Sequence, residues 1–161
     1  LGASLADETG RTLWQEVASC EPRDLDVTRS FILMGAPIQL LDGPGDGQRV
    51  IWFGNGLREL SQAEFIRHYT TQHGPLVAGH AELIGLRRYR QVPDEQSGLR
   101  ASLRELGLGQ ASPPPVFAEL VMGTPRLKLA TLRARRAATR EIKDDEKRHI
   151  DFSSSMLLLT G

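Results

Sequence analysis

The chain has 161 residues, 40% of them hydrophobic and 25% charged, and its 20 basic side chains are cancelled by 20 acidic ones. That length buries a core for one domain with an extension, or for one and a half small units, and the cancelled charge excludes a general binder of nucleic acid or anionic membrane. The single cysteine, Cys20, excludes an intrachain disulfide framework and a Cys-rich zinc or iron–sulfur site; no apolar run approaches a membrane span and no charged-then-apolar signal opens the sequence, so a cytoplasmic protein is expected.

Along the chain, residues 1–42 form an N-terminal extension that ends in a strand expected over Phe31 to Leu41. The stretch Glu21 to Leu33 aligns at one constant offset with Glu146 to Leu158, and Glu16-Val17 with Glu141-Ile142. This pattern suggests the C-terminal half of a first repeat unit whose upstream part is truncated, cleaved or disordered; a chance likeness of two helix–strand joints is the alternative. Residues 43–48 are a turn-rich linker. The main domain is expected over 49–161, opening with a strand at Arg49 to Gly54.

Leu60 to Pro75 carries helix punctuation at both ends. Ser61 and Glu64 have capping-box spacing, Leu60 and Phe65 can form the accompanying staple, Gly74 is expected to close the helix in a left-handed conformation, and Pro75 to begin another. Inside it Phe65, Tyr69 and His73 recur every four residues, so a histidine ends an apolar stripe. Strands are expected next over Leu86 to Val92 and Val116 to Met122. Between them lies an insertion, Pro93 to Pro115, with a short helix near Leu99 to Leu106; it is either a lid or a surface connection. A helix over about Pro125 to Lys147, with Leu127, Ala130, Ala134, Ala138 and Ile142 as its apolar stripe, precedes a last strand at Ser154 to Leu159.

The order after Arg49 is strand, helix, strand, strand, helix, strand, an α+β arrangement of ferredoxin-like βαββαβ type. The strand, the Phe-containing helix, His73-Gly74-Pro75-Leu76-Val77, the Gly-Leu-x-x-Tyr-x-Gln run from Gly85 to Gln91, Phe117 to Leu120 and the late Ile150-Asp151 together resemble the EthD family of the dimeric α+β-barrel group, over about Arg49 to Thr160. The resemblance implies a ferredoxin-like unit whose sheet pairs with another such unit, as a homodimer or a tandem pseudo-dimer, into a barrel that encloses a pocket.

His73 is the first candidate for chemistry, because an imidazole titrating near pH ~6.5 moves protons at neutral pH without a cofactor. The competing role is a histidine that caps helix carbonyls. Tyr69, one turn earlier, is a second catalytic candidate, able to hold a substrate oxygen. Glu119 is a third, because a carboxylate facing a barrel interior requires a partner and would orient His73; facing water, it requires nothing. Tyr89, Trp52 and Phe65 are the substrate-binding candidates, each of which is equally explained as core.

No metal is expected: no His-x-x-x-His pair exists, and Glu146 and His149 have di-iron spacing without the matching ligands. Nucleotide and serine-hydrolase motifs are absent too, so no cofactor is expected. On the helix from Pro125, Arg126, Lys128, Arg133, Arg135, Arg136 and Arg140 precede Glu141, Asp144, Asp145 and Glu146, an order that opposes the helix dipole and marks either an anion-binding surface or a solvated face. Two functions remain: a cofactor-independent enzyme moving a proton on a hydrophobic aromatic or polyketide-like substrate, by dehydration, cyclisation, decarboxylation or isomerisation, the substrate class being what the resemblance implies; or a non-catalytic small-molecule-binding or accessory protein of a catabolic pathway.

Overall fold

A computed structural model describes residues 29–95, 98–105, 107, 109–123 and 131–160, with Glu8 and Thr12. Cys20, most of the first copy of the suggested repeat, and Arg126 and Lys128 lie outside the described residues. The chain divides into two compact units, residues 1–35 with 95–113, and residues 36–94 with 114–161.

The larger unit is a five-stranded, wholly antiparallel sheet. Its strands are β1 (Ile38–Leu41), β2 (Gln48–Gly54), β3 (Leu86–Pro93), β4 (Val116–Met122) and β5 (Met156–Thr160), in the order β1-β3-β4-β2-β5. Its helices are α1 (Gln62–His68), α2 (Gly74–Gly79), α3 (Ala81–Ile84) and α5 (Leu132–His149). Without β1 this is the ferredoxin-like βαββαβ order, with β1 added at the β3 edge. The strand expected over Phe31 to Leu41 is thus confined to its last residues. Side chains alternate across the sheet, so Trp52 from β2, Tyr89 and Gln91 from β3, and Ala118 and Leu120 from β4 share the face that packs on the helices.

The start of α1 forms as its sequence dictates: the Ser61 hydroxyl accepts from the Glu64 amide, and the Glu64 carboxylate accepts from the Ser61 amide. Its end differs. Instead of stopping at Gly74, the backbone widens into a π-helical turn over Tyr69–His73, closed by the Gly74 amide on the Tyr69 carbonyl, and passes directly into α2. Gly74 is right-handed, with φ −56°, so the left-handed cap expected there does not form. A proline ring collides with the carbonyl four residues back in a regular helix, and the wide turn accommodates Pro75. The hydroxyls of Thr70 and Thr71 donate to the Ile66 and Arg67 carbonyls at 2.8 and 2.7 Å. Gly74 is needed for closeness: a β-carbon there would lie 2.7 Å from Leu40 Cδ1 and 2.8 Å from the Gln91 amide. The left-handed cap comes later, at Gly85, φ 79°, which ends α3.

Helix α5 buries Ala138, Ile142 and Asp145, and Ile150 follows them into the core. Its expected start near Pro125 lies outside the described residues. In the smaller unit the short helix of the insertion is α4 (Gly98–Glu105). There Leu103 is buried, Arg104 donates to the Gly109 and Ala111 carbonyls, and the Glu95 amide donates to Met34. Among the described residues no helix is long and apolar enough to cross a membrane.

Candidate active site

The π turn rotates the end of the apolar stripe onto the sheet. Phe65, Tyr69 and His73 are all buried, and their rings stand in a row: Phe65 to Tyr69 is 5.7 Å between centroids, Tyr69 to His73 is 4.9 Å. Trp52 stacks on Tyr69 from the sheet at 5.1 Å. Such aromatic pairs add about 0.5–1.5 kcal/mol each beyond their buried area, which fixes the row between helix and sheet. Beside it lies a cavity of about 350 Å³. Its walls are mainly apolar, from Val50, Val77, Leu120, Met122, Ile142 and Ile150; its lining residues with polar groups are Trp52, Tyr69, His73, Tyr89, Glu146 and Ser155. The cavity lies between the sheet and the helices of the larger unit.

His73 is held by a carboxylate from α5. Its Nδ1 donates to Asp145 Oδ2 at 2.9 Å, while the other oxygen, Oδ1, accepts from His68 Nε2 at 2.9 Å. An Nδ1–H donor on a neutral imidazole leaves the lone pair on Nε2, and no described residue hydrogen-bonds that nitrogen. Burial lowers the His73 pKa below its usual 6.5, and the Asp145 hydrogen bond and charge offset this only in part. Burial also pushes Asp145 upward, yet the contacts with His73 and His68 hold it below the ordinary carboxylate value. The pair at neutral pH is therefore a neutral base and its anionic holder.

The phenols are arranged for donation. Gln91 Nε2 donates to Tyr89 Oη at 2.6 Å, and Tyr89 donates to Tyr69 Oη at 3.3 Å. Burial raises Tyr89 to about 12 and Tyr69 well above its usual value, so both keep their protons. Glu146, on the cavity wall, is raised by burial against the opposing charge of Lys143.

Of the residues singled out from sequence, His73, Tyr69, Tyr89 and Trp52 come together at the cavity. Phe65 is fully buried behind Tyr69 and packs the core without lining the cavity. Glu119 is not brought to His73: on β4 it faces the side of the sheet away from the helices, where Arg49 and Arg90 reach it at 3.2 and 2.7 Å. The carboxylate at His73 is Asp145 instead. Asp145, Glu146 and Gln91 were missed, although Gln91 shares the Tyr89 face by alternation and Asp145 continues the stripe of Ala138 and Ile142 by three residues.

A cation has one cluster of described donors to consider, His68, Asp145 and His149, whose ligand atoms lie within 4.8 Å of one another. The two imidazoles stack at 3.3 Å with planes 10° apart, so their in-plane lone pairs run side by side instead of converging. Asp145 is already shared by two histidines. As arranged, the cluster is a hydrogen-bonded support for His73.

A family model described as EthD domain matches residues 57–153. The chain belongs to the EthD family. The match includes the capped helix, the His-Gly-Pro-Leu-Val segment, strands β3 and β4, and all of α5, and runs on to Ser153, so His73 and Asp145 both fall within the EthD region. The EthD family is one of the dimeric α+β-barrel group, which includes enzymes and accessory proteins, and the βαββαβ order seen here agrees with that group. No curated protein and no solved structure matches the chain.

Proposed function

We propose that this EthD protein is a cofactor-independent enzyme that moves a proton within a hydrophobic aromatic or polyketide-like ketone. The observation that carries this reading is the His73–Asp145 pair: a buried imidazole with its Nδ1 proton committed to a carboxylate and its Nε2 lone pair unpartnered beside an apolar cavity. In the reaction, Nε2 takes a proton from carbon adjacent to a carbonyl, and the C–H electron pair moves into the carbonyl to form an enolate. The enolate oxygen accepts a hydrogen bond from the Tyr69 hydroxyl, whose phenol is kept protonated by burial. The imidazolium formed is stabilised by Asp145 and returns the proton, to a different carbon in an isomerisation or to a departing hydroxyl in a dehydration.

A second copy of the chain is the proposed partner. Strand β5 is a sheet edge whose Met156, Leu157, Leu158 and Leu159 are 43–60% exposed, and an apolar edge of this kind is stable in water when another strand or sheet covers it.

Proton transfer is tested without knowing the net reaction by following exchange of the α-hydrogens of 2-tetralone, a bicyclic aromatic ketone, in D₂O by proton NMR. The protein accelerates exchange over buffer, and His73→Ala abolishes the acceleration. Binding of 2-tetralone with no faster exchange would replace the enzyme by the receptor reading, in which the same cavity only holds an apolar ligand.

A further inference from the structure

The Glu146 carboxylate has no partner that would explain its place in the fold. Glu146 is half-buried on α5 and lines the same cavity as His73; its backbone carbonyl accepts from the Ile150 amide, while its carboxylate has no hydrogen bond or ion pair with any described residue. Its charge reaches the cavity's polar floor, since it raises the proton affinity of both Tyr69 and Tyr89. Lys143, three residues earlier, is exposed. The other lining residues with polar groups are two phenols held neutral, one imidazole, the Trp52 indole and the Ser155 hydroxyl, so Glu146 is the one carboxylate among the described lining residues. An unpaired, partly desolvated carboxylate is costly to a fold, and it is relieved when a ligand supplies the missing donor.

We infer that Glu146 sets ligand selectivity: it accepts a hydrogen bond from a hydroxyl or amino group on the bound ring system and turns away ligands that carry a carboxylate. This deepens the proposed function and rests on its cavity. At the roughly 0.55 packing density of an organic liquid, the cavity of about 350 Å³ admits roughly 190 Å³ of van der Waals volume, that of a two- or three-ring aromatic compound. The class selected is therefore a small fused-ring phenol, neutral at physiological pH. A site built to satisfy a polar substrate group discriminates strongly, because the wrong ligand leaves its own buried group unpaired; here the wrong ligand also brings like charge.

The test compares 2-naphthol, naphthalene and 2-naphthoate by isothermal titration calorimetry at pH 7.5. The wild-type protein binds 2-naphthol tightest and 2-naphthoate at least about tenfold more weakly, on the scale of one charge-assisted hydrogen bond. Glu146→Gln narrows that gap by about the same factor, while Glu141→Gln, which removes a charge from the exposed His80 pair on the same helix, leaves it intact. His73→Ala retains the naphthol preference even though exchange on 2-tetralone is lost. Equal binding of naphthol and naphthoate by the wild type, or a gap unchanged in Glu146→Gln, overturns the selectivity inference and leaves the enzyme reading standing. Failure of all three probes to bind overturns the cavity itself, and this inference with it.

Discussion

Asp145 Oδ2 lies 2.9 Å from His73 Nδ1, and its other oxygen lies 2.9 Å from His68 Nε2, so one carboxylate from α5 holds two imidazoles from the helix opposite. An asparagine has a single acceptor oxygen and can serve only one of them. Asp145→Asn also removes the anion that stabilises the imidazolium formed during proton transfer. The expected outcome is a fall in the 2-tetralone exchange rate on the order of 10²-fold or more, the scale of a positioned acid–base group, with little change in ligand affinity. Imidazole ¹⁵N NMR supplies the independent readout: the His73 pKa drops further, because the Asp145 charge that had raised it is gone and burial remains.

His73 also makes folding pH-dependent. Folding lowers its pKa from the usual 6.5, so below about pH 6.5 the unfolded chain binds more protons than the folded one. Its contribution to stability is complete above that pH and is lost as pH falls through the lower, folded value. Glu146 acts with the opposite sign, because its raised pKa favours folding below the ordinary carboxylate range and fades as pH rises. Comparing wild type with His73→Asn isolates the histidine. Urea unfolding at pH 7.5 and pH 5 should show the wild type losing more stability than the variant between the two; equal losses would mean that the ring is not desolvated.

The capped helix and the stripe from Phe65 to His73 were legible because local chemistry sets them: a capping box acts within four residues, and helical spacing carries through. The βαββαβ order was legible for the same reason, from alternation and turn residues. Gly74 misled because glycine has two uses, positive φ and close packing, and only the approach of Leu40 and Gln91 shows which applies. The partner of His73 was harder still. Glu119 alternates into an apolar strand, and sequence does not say which face meets the helices. Asp145 stood inside a run of acids that resembles a solvated surface, and only its phase with Ala138 and Ile142 sets it apart.

Gly74→Ala tests the packing account of that glycine. A helix normally prefers alanine over glycine by about 0.8–1.0 kcal/mol, so a position in α2 at φ −56° would be stabilised if space were free. A β-carbon instead meets Leu40 Cδ1 at 2.7 Å and the Gln91 amide at 2.8–2.9 Å. Overpacking of this kind costs about 1–3 kcal/mol. The variant should therefore unfold at lower denaturant concentration than the wild type. Because Gln91 supports Tyr89, 2-tetralone exchange should slow as well. A stabilised variant would show that the contact yields without cost.

Glu119 separates support of the sheet from chemistry in the cavity. Arg49 and Arg90 neutralise it on the face away from the helices, so Glu119→Gln should leave the 2-tetralone exchange rate and its pH dependence unchanged. Stability should fall, because two arginines that share one carboxylate lose their counter-charge on a side chain only 10% exposed. A part-buried pair broken on one side costs more than the ~0–1 kcal/mol of a surface pair. Chemical denaturation reads the loss directly. A large drop in exchange with unchanged stability would return Glu119 to the list of groups acting on His73.

The β5 edge predicts the state of assembly. Four successive apolar residues, Met156 to Leu159, are exposed on a strand that pairs with β2 on one side and with no other described strand, which leaves that edge open to a further strand. Association of two copies buries both the side chains and the edge. Leu158 is the residue to change, since it is 45% exposed and lies outside the cavity, whereas Met156 and Leu157 contribute to the cavity wall. Lysine on an edge strand opposes strand addition by charge and hydration. Light scattering behind size exclusion should give a dimer mass for the wild type and a monomer mass for Leu158→Lys, with the same circular dichroism spectrum. If one copy completes the cavity, the monomeric variant retains 2-tetralone binding; a loss of binding on dissociation would mean that the second copy closes the site.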